Sequence, residues 1–415
     1  MRFDASTKRA MLVLTLAACA SSGCSPAASL RPNLVLITAD GVRADALSCY
    51  GSTSAIGAEV CALGDAGALY EWAFAAAASG APSATSLLTS TYPSQHRVSD
   101  DPSTFLPFAG PSTLPDVLRR GGYSTAAFVA SPELNRSKHL DRGFDHYDDL
   151  ASVRDPVEAD SVGQRAREWT ATAKQPWFVW VHFAEPHGPF GNDDPVAYQR
   201  AYADAVRHLD RQLSQLIAVL DSSPAAPGIL LTALHGQALG DVDGSVGHAR
   251  FVEAAQVRVP LLWRSPRAGG GTAVGRRITK PVSLLDVAPT LLESAGFPAP
   301  ASFEGSVLPH SDPAASEVDT RVVFAETADA VAVIRGREFA LFPRALAAPS
   351  DRSATAPPAE LWLRLADPVQ RIAPGAAPDP TAGGADAPLA LPDLRLEVAR
   401  LPLEWRRESA SEEPR

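Results

Sequence analysis

The feature that most restricts this chain is a set of short segments that are apolar on both faces. They are Asn33-Leu34-Val35-Leu36-Ile37-Thr38, Trp177-Phe178-Val179-Trp180-Val181-His182-Phe183 and Ile229-Leu230-Leu231-Thr232-Ala233-Leu234, with residues 125–130 as a fourth. A strand with one wet face alternates apolar and polar residues, so unbroken runs belong to parallel strands covered by helices on both sides. Helical patterns lie between and after them. Leu209, Leu213, Leu216, Ile217 and Leu220 form one stripe within 202–220, and Leu284, Val287, Leu291 and Leu292 form another that stops at Gly296. Alternating strands and helices predict an α/β domain, a mostly parallel mixed sheet flanked by helices, with a ligand site at the carboxyl ends of the strands.

From about residue 316 the texture changes to short strand candidates at 321–326, 331–335, 338–342 and 360–365, with a turn at 335–337. These predict a small C-terminal antiparallel α+β subdomain over 316–405, after an α/β domain over 32–315. Ten of the fifty residues in 343–392 are proline, so that stretch is expected to be mostly loop or extended chain, and 406–415 a polar tail. A chain of 415 residues accommodates one large domain with a small one beside it. Acidic residues outnumber basic ones by 47 to 37, a net charge of -10, which argues against a nonspecific nucleic-acid binder.

The first residues read as an export leader. Lys8 and Arg9 precede an apolar run over 11–18, too short to span a bilayer, so 1–18 is expected to be a signal peptide. Leu16-Ala17-Ala18-Cys19 resembles the lipobox of bacterial lipoproteins. That resemblance implies lipid attachment at Cys19, a tether over 19–31, and an exported protein anchored to a membrane on the periplasmic or cell-surface side. Cys24 is a weaker alternative, because Ser21-Ser22-Gly23 lacks the apolar residue of that motif. Only Cys49 and Cys61 remain beyond the leader, and a bond between them is left open.

Several stretches together resemble one family. Residues 31–51, which include Asp40, Gly41 and Asp45, are similar to the opening segment of the sulfatases, within the alkaline phosphatase superfamily. The similarity continues in the same order through Ser86-Leu87-Leu88-Thr89, residues 140–149, Glu185-Pro186-His187-Gly188-Pro189, residues 258–262, residues 282–291 and residues 360–368. The resemblance implies an alkaline phosphatase-like fold. It also implies sulfuric ester hydrolysis by a formylglycine at a helix start, with an arginine four residues on, and a divalent cation, calcium in the family, held by carboxylates.

Each requirement can be placed on this sequence. The register of Ser86-Leu87-Leu88-Thr89 puts Gly80 at the nucleophile position and Ala84 at the arginine position, so no formylglycine is expected. Ser79 and Ser83 are the neighbouring hydroxyls that could attack in its place. Asp40 and His235 occupy metal-ligand positions, but Gly41 follows Asp40, and Leu234 stands where the family has an acid. One carboxylate with an imidazole is a poor cage for calcium, so any metal is expected to be weak or absent. His187 and His248 match family histidines facing the sulfate and the rim, whereas His182, inside a strand, reads as structural.

The leading expectation is therefore a membrane-anchored, sulfatase-like protein with impaired or absent catalysis, a pseudo-sulfatase that keeps a cleft for a ligand. An active metal-dependent hydrolase of sulfate or phosphate esters with a Ser or Thr nucleophile is the alternative. A structural or adaptor lipoprotein is the third.

Overall fold

The computed structural model describes residues 31–54, 56–149, 159–187, 190, 194–223, 225–240, 246–249, 252–268, 275–311, 321–328, 330–335, 338–343, 361–364 and 370–372. The leader, the tether with Cys19, the tail and most of 343–392 lie outside these residues. Eight strands form the main sheet: β1 (Leu34–Ala39), β2 (Ala68–Tyr70), β3 (Ser124–Val129), β4 (His146–Asp148), β5 (Trp177–Phe183), β6 (Gly228–Ala233), β7 (Leu261–Arg264) and β8 (Arg276–Ile278). Their spatial order is β8-β2-β7-β6-β1-β5-β3-β4. The run from β6 to β4 is parallel throughout, and β7 pairs antiparallel with both β6 and β2.

β1 is buried on both faces along its length, as its unbroken apolar pattern requires. Asn33 sets its register with both neighbours: its side-chain Oδ1 accepts Trp177 N–H at 3.0 Å, and its carbonyl accepts Gly228 N–H at 3.0 Å. Four helices matter for the site: α1 (Gly80–Thr89), α2 (Ala159–Thr172), α3 (Pro195–Asp221) and α4 (Val287–Ser294). Asp194 caps α3 by accepting Val196 N–H, and Tyr198, Tyr202, Val206, Leu209, Leu213, Leu216 and Leu220 make its buried stripe. The predicted stripe over 202–220 is thus part of a longer helix.

α1 is buried at every position, because its residues are small or apolar and its threonines turn inward to carbonyls of their own helix: Thr85 Oγ1 donates to Ala81 O and Thr89 Oγ1 to Thr85 O. His96 packs behind it, 1% exposed. Its Nδ1 accepts Val98 N–H at 3.0 Å, which leaves the ring proton on Nε2 to donate to Ser86 Oγ at 2.9 Å. Burial pushes the His96 pKa down to about 3. The native ring is therefore neutral, and the unfolded chain takes up a proton first as pH falls below about 6.5. This stability is fully present above pH 6.5 and is lost progressively toward pH 3, by about 2 kcal/mol at pH 5. Denaturant melts should show the loss between pH 7 and 5, and His96→Gln should flatten that part of the profile.

The C-terminal strands β9 (Val322–Glu326), β10 (Ala330–Arg335), β11 (Glu338–Pro343), β12 (Leu361–Arg364) and β13 (Gln370–Ile372) form one antiparallel sheet in sequence order. Val323, Ala325, Ile334 and Phe339 from this sheet share a core with Phe74, Val252 and Val257. Cys49 and Cys61 are joined by a disulfide with Cα atoms 5.5 Å apart. Among the described residues no helix is long and apolar enough to cross a membrane.

Candidate functional site

Strand order brings the site together at the carboxyl edge of the sheet. Reading along β6, β1, β5 and β3, the residues just past the strand ends are His235, Asp40, His187 and Glu133. Asp40 is 1% exposed and lies at the centre. Tyr202 of α3 clamps the chain beyond it: its hydroxyl donates to Gly41 O at 3.0 Å and accepts Arg43 N–H at 2.9 Å.

A buried chain of hydrogen bonds orients the carboxylate. Trp180 Nε1–H can only donate, and it does so to Thr38 Oγ1 at 2.8 Å. The Thr38 hydroxyl is then free to donate to His182 Nδ1 at 2.9 Å, and His182 Nε2–H donates to Asp40 Oδ2 at 3.2 Å. His182 is thus a structural histidine, as its strand location suggests, and one seated directly on Asp40, which it positions. Its signal in the sequence was the spacing of Thr38, Trp180 and His182, polar atoms embedded in otherwise apolar strands.

The other carboxylate oxygen, Asp40 Oδ1, faces His235 Nε2 at 3.5 Å, and both atoms are buried without a hydrogen-bond partner among the described residues. Burial opposes ionisation of Asp40, yet His182 and then His235 hold its carboxyl well below the usual range. Burial likewise opposes protonation of His235, but the adjacent Asp40 carboxylate raises the imidazole overall. His235 Nδ1 lies 2.8 Å from Gly236 O, an acceptor, so that nitrogen carries the hydrogen and Nε2 points into the cleft. His187 and His248 meet there, Nε2 to Nε2 at 2.9 Å, and the His248 ring stacks on His235 with centroids 4.3 Å apart. Burial, with His235 and His187 as neighbours, pushes the His248 pKa down to about 3.

Gly80 begins α1 beside Asp40, as the register predicts. A Cβ built there would lie 2.7 Å from Glu133 Oε2 and 3.7 Å from Asp40 Oδ1. The place of the family's nucleophilic side chain is thus filled by the carboxylate of Glu133, from the turn after β3. Burial, followed by the charge of Asp40, raises the Glu133 pKa, and His187 and His235 offset part of that. No motif or spacing marks Glu133; only the rule that ligand sites gather at carboxyl ends of parallel strands points to it. Ser79 precedes the helix and makes no capping bond with its side chain, while Ser83 Oγ is buried with no partner among the described residues. Neither hydroxyl is hydrogen-bonded to Asp40 or to the three cleft histidines. Ala84 and Leu234 are fully buried in the core, and Asp45, a third acid near the cleft, is committed to a two-point pair with Arg43 at 2.9 and 2.7 Å.

The calcium that the family implies does not fit this donor set. Calcium takes six to eight oxygens, and here Asp40 is joined by Leu234 rather than by a second acid. Gly41 offers no alternative, because its φ is +73° and a Cβ there would lie 2.1 Å from Pro186 O.

Fold and site together define an α/β scaffold with a mostly parallel sheet and with acids and imidazoles gathered at the strand ends. The sequence model of the sulfatase family matches residues 32–297, more than half of the chain, and the chain belongs to the sulfatase family. A sulfatase of Formosa agariphila is 33% identical over 111 residues, 26% of this chain and 21% of that protein. The steryl-sulfatase of Mus musculus is 29% identical over 174 residues, 37% of this chain and 27% of that protein. The chain thus spans about a quarter of the length of these curated relatives. The phosphonate monoester hydrolase of Agrobacterium radiobacter shares the fold, with a TM-score of 0.60 at 20% identity over 76% of this chain and 90% of that one.

Proposed function

We propose that this chain is an exported, lipid-anchored member of the sulfatase family that does not cleave sulfate esters by the formylglycine route and keeps its cleft for binding. The observation that carries this reading is the Glu133 carboxylate in the space beside Gly80. A sulfate monoester is an anion, and a site that cleaves it must supply a nucleophile and positive charge where charge develops. Here the nucleophile position has no side chain and meets a carboxylate, the arginine position is Ala84, and the acidic metal position is Leu234. Each loss removes an interaction worth several kcal/mol in a transition state. The run ending in Cys19 supports membrane attachment.

The test uses the full-length chain and its Cys19→Ala variant in a bacterial host. The parent should fractionate with membranes and the variant should not, and the detergent-solubilised parent should not turn over a panel of aryl sulfates above the buffer rate. Turnover near one per second, on the order of an ordinary enzyme, that is lost in His187→Ala would sink the proposal. The convergence of three imidazoles favours a second reading, an ester hydrolase acting on phosphate or phosphonate esters. A parallel panel of those esters decides it.

A further inference from the structure

From the sequence, Asp40, His187, His235 and His248 are expected to converge on one cleft at the strand ends. In the fold the three histidines form one cluster whose donor nitrogens all lie within 4.8 Å of one another. They arrive from three different stretches of chain, so no local sequence periodicity explains their meeting.

The facing atoms are two pairs, each of which a metal ion could join in place of a proton. His235 Nδ1–H is spent on Gly236 O, which leaves Nε2 directed at Asp40 Oδ1 at 3.5 Å, with neither atom within ordinary hydrogen-bond geometry of another group among the described residues. A buried imidazole nitrogen and a carboxylate oxygen 3.5 Å apart are joined by one cation between them, which is either the proton on Nε2 or a metal ion that displaces it. The Nε2 atoms of His187 and His248, 2.9 Å apart, are joined by one shared hydrogen, which a metal ion bound to both lone pairs would displace. Charge points the same way: Asp40 and Glu133 contribute two carboxylates, and no lysine or arginine among the described residues is bonded to either.

We propose that the cleft is a centre for a borderline divalent metal of the zinc class, held by His187, His235 and His248 with Asp40 supplying negative charge beside His235, in place of the calcium of the family. Nitrogen and oxygen ligands of zinc lie at about 2.0–2.2 Å, so donors of one tetrahedral ion stand about 3.3–3.5 Å apart. The 2.9 Å between His187 and His248 needs only a small opening to reach that spacing. Supporting groups are in place: Gly236 O fixes the His235 tautomer, and the Trp180–Thr38–His182 chain holds Asp40 by its other oxygen. Imidazole suits zinc and cobalt, whereas calcium takes six to eight oxygens, more than Asp40 and Glu133 supply. Glu133 lies in the slot above Gly80 and adds the second negative charge.

This inference goes beyond the proposed function, since it concerns what the cleft holds and stands whether or not an ester is cleaved. The experiment is a cobalt(II) titration of the full-length protein after dialysis against chelator, read by visible absorption, followed by competition with zinc and separately with calcium. One cobalt per chain is expected, with the intense bands of a four-coordinate ion, displaced by zinc and unaffected by millimolar calcium. His187→Ala and His248→Ala, at the open side of the cleft, should each weaken cobalt binding by about 100-fold, at or above the loss that follows removal of a group merely supporting a ligand. His310→Ala, an exposed histidine elsewhere, should change nothing. A weak six-coordinate spectrum, indifference to both cleft variants, or displacement of cobalt by calcium would each overturn the proposal. Thermal melts of the metal-free variants, matched to the parent, keep loss of binding distinct from loss of fold.

Discussion

Asp286→Ala is expected to destabilise the protein by about 3–5 kcal/mol, at the lower end because Arg321 retains some access to water. Asp286 is 0% exposed, and each of its oxygens is committed. Oδ2 accepts Ser283 N–H at 3.0 Å, closing a reciprocal cap in which Ser283 Oγ accepts Leu285 N–H at 3.2 Å. Oδ1 accepts Ser306 N–H at 2.8 Å and the Arg321 guanidinium, which stands just before β9. Alanine strands two backbone N–H groups and removes one partner of a quarter-exposed guanidinium at one point, where α4, the segment at 306 and the start of the C-terminal sheet are joined. Asp286→Asn keeps the shape but only one accepting oxygen, so about half the loss should remain. Denaturant melts measure both, and a shift for the alanine variant below about 1 kcal/mol would refute this account.

Trp180→Ala should cost a similar amount, about 3–5 kcal/mol, for a different reason. Trp180 is fully buried in β5, between β1 and β3, stacked on Phe144 with ring centroids 6.1 Å apart and edge-on to Tyr147 at 6.5 Å. Its removal leaves a cavity in the middle of the sheet and deprives Thr38 of the donor that orders the chain to Asp40. Trp180→Phe separates the two effects, since it keeps most of the volume and loses only the N–H, for about 1–2 kcal/mol. Equal losses in the two variants would mean that the hydrogen bond, not the packing, dominates.

These two sites also show what a sequence can and cannot convey. The four apolar runs became β1, β3, β5 and β6 within one residue at each end, because burial on both faces is a local signal that needs no partner to be read. The start of α1 at Gly80 was legible from the register of the family motif. In the C-terminal sheet, β13 was missed: Gln370–Ile372 is three residues long and lies in a proline-rich stretch, and its pairing with β12 supplies what its composition does not. Glu133 was missed for the same kind of reason. It is 53 residues from Gly80 in sequence, and only the placement of β3 next to β5 brings it to the cleft. His182 was read by its strand address, when its partners were set by the neighbouring strand. Local periodicity thus revealed the frame, while the contents of the site depended on which strands lie side by side.

Gly41 has a bearing on the history open to this chain. A side chain at that position must adopt a left-handed backbone, at about 1–2 kcal/mol for an ordinary residue, and must also push back the Pro186 carbonyl. Pro186 immediately precedes His187, so the displacement that admits an acid at 41 would move the imidazole that meets His248. A single codon change toward the acidic pair of the family would therefore damage the histidine cluster before it gained a calcium ligand. An acid at 41 would thus be accommodated only with a second substitution that relieves the Pro186 carbonyl.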